Sequence, residues 1–365
     1  MQQPSADVRQ RALGRSGLSV SRVIFGAMAL SAAGRDPQRR IGTIQAAIDA
    51  GSTSIDTAPL YEYGQAEELL GRALAGRRGR AQVLTKVGLR WDDPRGQPLY
   101  RFRDARGRDQ AVRRNSRPDS VRLEVERSLQ RLGVEVLDLV QVHHPDPETP
   151  VADTMGALAD LLRAGKLRAI GVSNCSAAQM RMAQAALGSI PLASNQLRYS
   201  LVERWPELEV LPYAREAQIG VLAYSPLAQG LLSGGMRAET LAAADMRRSN
   251  PLFRGHNPAR LAATIDGALA PVARAHDVTV AQVALAFLLA QPGLTAVVAG
   301  ASSIAQAERN AAAAKLSLHD EELRSIRDAF GALRLDPHAG LGFASRARLL
   351  LRRIASGVQR RVRRG

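Results

Sequence analysis

Eight short runs of β-branched and aliphatic residues, each bounded by Gly, Asp or Asn, punctuate this chain and narrow its possible folds more than any other feature. They lie at residues 23–26, 53–57, 83–87, 137–142, 168–172, 193–197, 221–224 and 296–299. Between them apolar residues return with a helical period, most clearly at 65–75, 120–132 and 153–164, and Pro118, Pro150 and Pro206 stand where helix starts are expected. The repeat is βα throughout, which leaves a closed barrel or a doubly wound open sheet. An open sheet of the dinucleotide-binding kind needs a Gly-rich turn after its first strand, and Phe25-Gly26-Ala27-Met28 is not one. No strand-to-helix junction carries G-x-G-x-x-G, so the expected class is α/β with a (β/α)8 TIM barrel over residues 10–335.

Two connections, 88–117 and 228–257, exceed ordinary loop lengths, and both follow strands. In a barrel they overhang the carboxyl-terminal face, where active sites are built. The first is expected to hold a hairpin, with strands at 99–103 and 110–112 flanking a turn at 104–107. Its nine arginines against four aspartates admit an acidic substrate, although a solvated loop is the simpler account.

The formal charge of +16 suggests nucleic acid until it is located. No acidic residue follows Asp336, and eight arginines from Arg346 onward carry half of the excess. Residues 336–365 are therefore expected to be a basic tail outside the barrel. Within it Ala347, Leu350, Leu351, Ile354, Val358 and Val362 share one helical face while seven of the eight arginines lie off it. Such a segment is disordered alone and amphipathic on an anionic membrane or an acidic partner. One cysteine, Cys175, no leader-like apolar region and no stretch long enough to span a bilayer point to a cytoplasmic protein. No Cys/His spacing fits a metal site, and no nucleic-acid recognition motif is present.

Barrel closure brings strand ends together, so polar residues at those ends are the candidates for chemistry. They are Asp56 with Tyr61 close behind, Lys86, His143, Ser173-Asn174, Gln196 and Tyr224. A tyrosine is a weak acid at neutral pH, and an ammonium from Lys86 is expected to stabilise its phenolate and lower its pKa. Asp56 can hold Lys86, and His143 can orient a carbonyl oxygen or pass a proton. Each has a plainer account in isolation: Tyr61 as a loop aromatic, His143 as a core histidine, Lys86 as a solvated charge. The apolar neighbours Val83, Leu84 and Val87 argue against the last. Cys175 has no base beside it in the pattern and is read as structural.

These residues fall in runs that resemble the aldo-keto reductases. The runs are Ile55-Asp56-Thr57-Ala58-Pro59-Leu60-Tyr61, Glu67-Glu68-Leu69-Leu70-Gly71, Leu84-Thr85-Lys86-Val87-Gly88, Leu137-Asp138-Leu139-Val140-Gln141-Val142-His143, Gly165-Lys166-Leu167-Arg168-Ala169-Ile170-Gly171-Val172-Ser173-Asn174 and Tyr224-Ser225-Pro226-Leu227-Ala228-Gln229-Gly230. The resemblance covers roughly residues 10–330 and implies the same barrel. It implies a catalytic tetrad of Asp56, Tyr61, Lys86 and His143, with Tyr61 as general acid. It also implies an extended NADPH, with NADH not excluded. Ser173, Asn174 and Gln196 would bind the carboxamide, and Tyr224 would stack on the nicotinamide. Ser225, Leu227, Gln229 and Gly230 would follow the pyrophosphate. Gly300, Ser302, Ser303, Gln306 and Asn310 would hold the adenosine end. Trp91 and His144 are placed in the substrate pocket. The chain departs from the family pattern at Glu62, where Gly is common, at Ala66, and in lacking Lys or Arg at Ser302, Ser303 and Gln306.

The expected function is NADPH-dependent reduction of an aldehyde or ketone, or the reverse oxidation, on a small carbonyl substrate. The alternatives are a nicotinamide-binding sensor or regulatory subunit on the same scaffold, and nucleic-acid binding resting on charge alone. An intact tetrad argues against the sensor.

Overall fold

The structure is a computed structural model that describes residues 9–34, 36–103, 109–235, 241 and 245–339. The expected turn at 104–107 and the basic segment 345–365 lie outside them. Eight parallel strands alternate with helices: β1 (Val23–Gly26), α1 (Pro37–Asp49), β2 (Ser54–Asp56), α2 (Gln65–Leu74), β3 (Gln82–Val87), α3 (Pro118–Leu132), β4 (Leu139–Val142), α4 (Val151–Arg163), β5 (Ile170–Ser173), α5 (Ala177–Leu187), β6 (Leu192–Arg198), α6 (Val210–Glu216) and β7 (Gly220–Tyr224). After α7 (Asn257–Thr264), α8 (Ala270–Ala275) and α9 (Val280–Leu289) come β8 (Ala296–Ala299) and α10 (Ile304–Ala312). Each strand pairs with its neighbours in parallel, β8 pairs with β1, and the ring closes as a barrel. Every run expected from the sequence overlaps a barrel strand.

Local chemistry sets the helix ends. Pro118 opens α3 with a fixed φ and no wasted donor, and Gly133 closes it at φ 63°. Ser176 and Gln179 form a reciprocal capping box at the start of α5. Apolar side chains of β1, β3, β4, β7 and β8, including Ile24, Leu84, Leu139, Leu222, Ala296 and Val298, fill the barrel interior.

The sequence reading missed a small antiparallel pair, Gln10–Ala12 with Ser19–Ser21, that precedes β1. Its signal was Gly14 and Gly17 around a four-residue turn, both at positive φ. The pair carries Leu13 and Val20 into the core cluster beneath the amino-terminal ends of the strands. Gly220 at the start of β7 leaves room for this packing, since a Cβ on it would stand 2.5 Å from Leu13 Cδ1 and displace that side chain.

The insertion after β3 folds as expected into a hairpin, Gln97–Arg103 with Asp109–Arg114, and Leu89–Arg90 adds a third strand beside the latter. The chain divides into two compact units. The first comprises the described residues of Met1–Ala228 and Ala281–Asp320 and contains the whole barrel; the second comprises those of Gln229–Val280 and Glu321–Gly365. In the second, Asn257 ties the chain together by donating to the Pro251 and Asp336 carbonyls and accepting from the Asp336 amide. Among the described residues no single helix is long and apolar enough to cross a membrane.

Candidate active site

Side chains two apart on a strand share a face, so Lys86 points into the barrel directly above the core residue Leu84. Asp56, which pairs in register with Leu84, ends β2 alongside it. Lys86 Nζ lies 2.8 and 2.7 Å from the two Asp56 oxygens, 3.0 Å from the Thr57 carbonyl and 3.4 Å from the Tyr61 hydroxyl. The Lys86 residue is 1% exposed and Asp56 is 2% exposed. Burial alone would lower the lysine's pKa, but the Asp56 carboxylate and Tyr61 outweigh it and raise the value above 10.5. Lys86 is therefore a fixed ammonium.

One expectation is overturned. The Tyr61 phenol is raised above 10, not lowered: loss of water around the ring is the largest effect, and Lys86 offsets it only in part. Tyr61 thus stays protonated at neutral pH, with its oxygen accepting a bond from Lys86 and its hydrogen left to donate elsewhere. His143 stands edge-on to Tyr61 with ring centroids 6.2 Å apart. Burial, then Lys86 and His144, hold its pKa well below 6.5, so its imidazole is neutral. His144 stacks on it at 5.7 Å and contacts Asn174 Nδ2 through Nε2 at 3.3 Å.

Tyr61 is carried on a tight turn that explains the departure at Glu62. Three consecutive residues are left-handed: Glu62 at φ 50°, Tyr63 at 55° and Gly64 at 97°. A side chain at such positions costs about 1–3 kcal/mol each, which is why Gly suits them. Here Glu62 forms an ion pair with the buried Arg40 of α1, and the Tyr63 ring stacks on Phe102 at 5.3 Å and tilts against Trp91 at 5.5 Å. The sequence reading missed Arg40, Tyr63 and Phe102. Trp91 is set at the rim by these rings rather than by the tetrad.

The amide and hydroxyl residues expected to meet a nicotinamide end β5, β6 and β7. Ser173 Oγ donates to the Gln196 carbonyl, Asn174 Nδ2 donates to the His143 carbonyl, and Tyr224 OH donates to Asn174 Oδ1 at 2.9 Å. Gln196 Nε2 is bonded to Asp56 Oδ1 at 2.7 Å, which joins it to the tetrad as well. Ser225 and Leu227 follow Tyr224, with Ser225 at φ 52°. Gln229 and Gly230, both at positive φ, open the second unit. After β8, Ser303 caps α10 by accepting from the Gln306 amide. Gln306 Oε1 accepts from the backbone and hydroxyl of Ser302, and Asn310 Nδ2 holds the Gly300 carbonyl. Burial pushes the Cys175 thiol up to about 12, in keeping with a structural role.

Comparison with known proteins agrees with this geometry. The model of the aldo/keto reductase family matches residues 22–330. The chain is similar to aldo-keto reductase YhdN of Bacillus subtilis (strain 168), 35% identical over 317 residues, covering 85% of this chain and 90% of that protein. It is also similar to the NADH-specific methylglyoxal reductase of Escherichia coli (strain K12), 32% identical with 88% and 98% covered. Among solved structures, a glycerol dehydrogenase from Gluconobacter oxydans superposes with a TM-score of 0.80 at 34% identity, covering 93% of this chain and all of that one.

Proposed function

This chain belongs to the aldo/keto reductase family, and from that premise we propose that it reduces an aldehyde or ketone to the alcohol with NADPH, Tyr61 acting as the general acid. The observation that carries the reading is Lys86 Nζ, held between the Asp56 carboxylate and the Tyr61 oxygen. The residues fit a nicotinamide dinucleotide by their chemistry: amides and a hydroxyl at Ser173, Asn174 and Gln196, an aromatic face at Tyr224, and the capped amino terminus of α10, which suits phosphate. When bound, the cofactor supplies the hydride.

The protein supplies the proton. Lys86 donates to the phenol oxygen, so the Tyr61 hydrogen is directed to a substrate oxygen, and the phenolate left behind faces an ammonium. Asp56, itself bonded by Gln196, keeps Lys86 in place. No side-chain hydrogen-bond partner holds the neutral His143 imidazole among the described residues, which leaves it free to orient the carbonyl. A sensor would need the nicotinamide site but not this donor. A reduced nicotinamide pool is a cytoplasmic resource, and the proposed location is the cytoplasm.

Loss of reduced-cofactor absorbance across a panel of aldehydes tests the assignment. With Tyr61 raised and His143 depressed, the required form is Tyr61 protonated and His143 neutral. The reduction rate at saturating substrate is expected to be flat through neutral pH and to fall only as alkali removes the Tyr61 proton, above the ordinary phenol value of 10. A step near pH 6.5 would remove the neutral His143 from the mechanism.

Cofactor choice is proposed as NADPH over NADH by a narrow margin, because Arg309 is the one cation close in sequence to Ser302, Ser303 and Gln306. Ser302→Lys is expected to widen the preference by about tenfold, or ~1.4 kcal/mol, through a charge-assisted contact to the 2'-phosphate. Fluorescence titration of both cofactors measures it, and tighter NADH binding by the native protein would reverse the order.

A further inference from the structure

Glu62 and Tyr63 hold a backbone form that glycine alone adopts freely, in the turn that directly follows Tyr61. The backbone bonds of this turn are internal to it: Tyr61 N donates to the Ala58 carbonyl at 3.0 Å, Tyr63 N to the Leu60 carbonyl at 3.2 Å, and Gln65 N to the Tyr61 and Glu62 carbonyls. They shape the turn without fixing it to the barrel. Side chains do that at both ends. At the far end Gly64 lies against Arg131, where a Cβ would stand 3.0 Å from Cδ. Arg131 Nε donates to the fully buried Glu67 at 2.7 Å, and Glu67 accepts from Thr85 Oγ1 at 2.7 Å, one residue before Lys86. That end is thus tied to the strand that carries the ammonium.

At the near end the tie runs from Arg40 Nη2 to Glu62. Arg40 lies on α1, is buried, and has an Nε without an acceptor, so among the described residues Glu62 supplies its counter-charge. The pair works in both directions. Arg40 leaves water because Glu62 is there, and Glu62 keeps a costly φ because releasing it would strand a buried cation. A charge-assisted hydrogen bond is of the same order as the cost of one such residue, so this contact is large enough to decide the form of the turn. Tyr61 shares a peptide with Glu62, and rotation at Glu62 would swing the chain beside it. The Tyr61 hydroxyl has little slack: at 3.4 Å it already stands near the long limit for a bond from Lys86.

We propose that Arg40 is a positioning residue for carbonyl reduction: through Glu62 it keeps the turn left-handed, and so keeps the Tyr61 hydroxyl within reach of Lys86. The proposal rests on the reductase reading with Tyr61 as the acid, and adds no covalent step to it. It follows that the ion pair is needed because residue 62 is not glycine.

The test uses the full chain with NADPH and benzaldehyde, the rate of chemistry being read before steady state. Arg40→Met is expected to slow chemistry by about tenfold, with the NADPH Kd within about twofold of native. Arg40→Met combined with Glu62→Gly should return the rate to within about threefold of native, since glycine takes the left-handed form unaided. Glu62→Ala keeps the Cβ that makes the form costly and removes the partner, so it should reproduce the loss of about tenfold. In a Tyr61→Phe background Arg40→Met should change the residual rate by less than about twofold, because the group it positions is gone. Equal losses in both backgrounds, no recovery with glycine, or native chemistry in Glu62→Ala would each overturn the proposal. Hydrogen exchange at the amides of Tyr61 to Gln65 needs no turnover: exchange about tenfold faster in Arg40→Met supports the clamp, and unchanged exchange refutes it. A native chain that reduces neither benzaldehyde nor any other aldehyde of the panel, while the variant shows the faster exchange, overturns the reductase reading and leaves the clamp standing.

Discussion

Tyr61→Phe is expected to lower kcat for carbonyl reduction by at least about 100-fold, while cofactor affinity stays within about twofold of the native value. The substitution removes one oxygen and keeps the ring, so the edge-on contact with His143 at 6.2 Å survives. What is lost is the hydroxyl 3.4 Å from Lys86 Nζ, and with it the proton proposed to neutralise the developing alkoxide. Lys86 is no substitute acid, since the Asp56 carboxylate beside it favours the ammonium and holds the proton there. Pre-steady-state turnover with a slow aldehyde separates chemistry from cofactor release, and native-like rates in the variant would take Tyr61 out of the mechanism.

Lys86→Met is expected to be both inactive and unstable. The native ion pair is almost fully out of water, with side chains 1% and 3% exposed, so solvent screens it little. Removing the ammonium leaves Asp56 buried beside Gln196 with no positive charge, a change that typically costs about 3–5 kcal/mol. Chemical denaturation of the native and variant chains measures that loss. Adding Asp56→Leu should recover much of the stability, because an apolar pair of similar volume can replace a buried ion pair at little cost. It should recover no activity. A stable Lys86→Met with native turnover would mean that the buried charge serves neither role.

Much of this architecture was legible in residue order because a βα barrel is built from local signals. Each strand announces itself by β-branched residues between turn formers, and each begins a unit that repeats. The tetrad was legible for a related reason: barrel closure converges strand ends, so Asp56, Lys86 and His143 could be grouped without knowing a single distance. What escaped was whatever depends on the balance of opposed effects or on packing across the insertion. The sign of the Tyr61 shift needed the relative size of burial and Lys86 attraction, which no spacing contains. Gln196 bonding to Asp56 is a contact between residues 140 apart on non-adjacent strands. The strained turn at Glu62 was marked only by the absence of an expected glycine, and its compensation by Arg40 lies on another helix. Short strands such as Gln10–Ala12 lack enough residues to show a period.

The small pair of strands beneath the barrel has a consequence for how protons must travel. Leu13 and Val20 join Ile24, Leu84, Leu139 and Leu222 in an apolar layer below the Asp56–Lys86 pair, and none of these side chains can pass a proton along. In the proposed mechanism, a Tyr61 that has given up its hydrogen has no supply from these side chains. On that proposal, recharging would come from water entering at the mouth, the side from which the alcohol would leave. Departure of the product and restoration of the acid would then share one doorway, and whatever obstructs that doorway would slow both together.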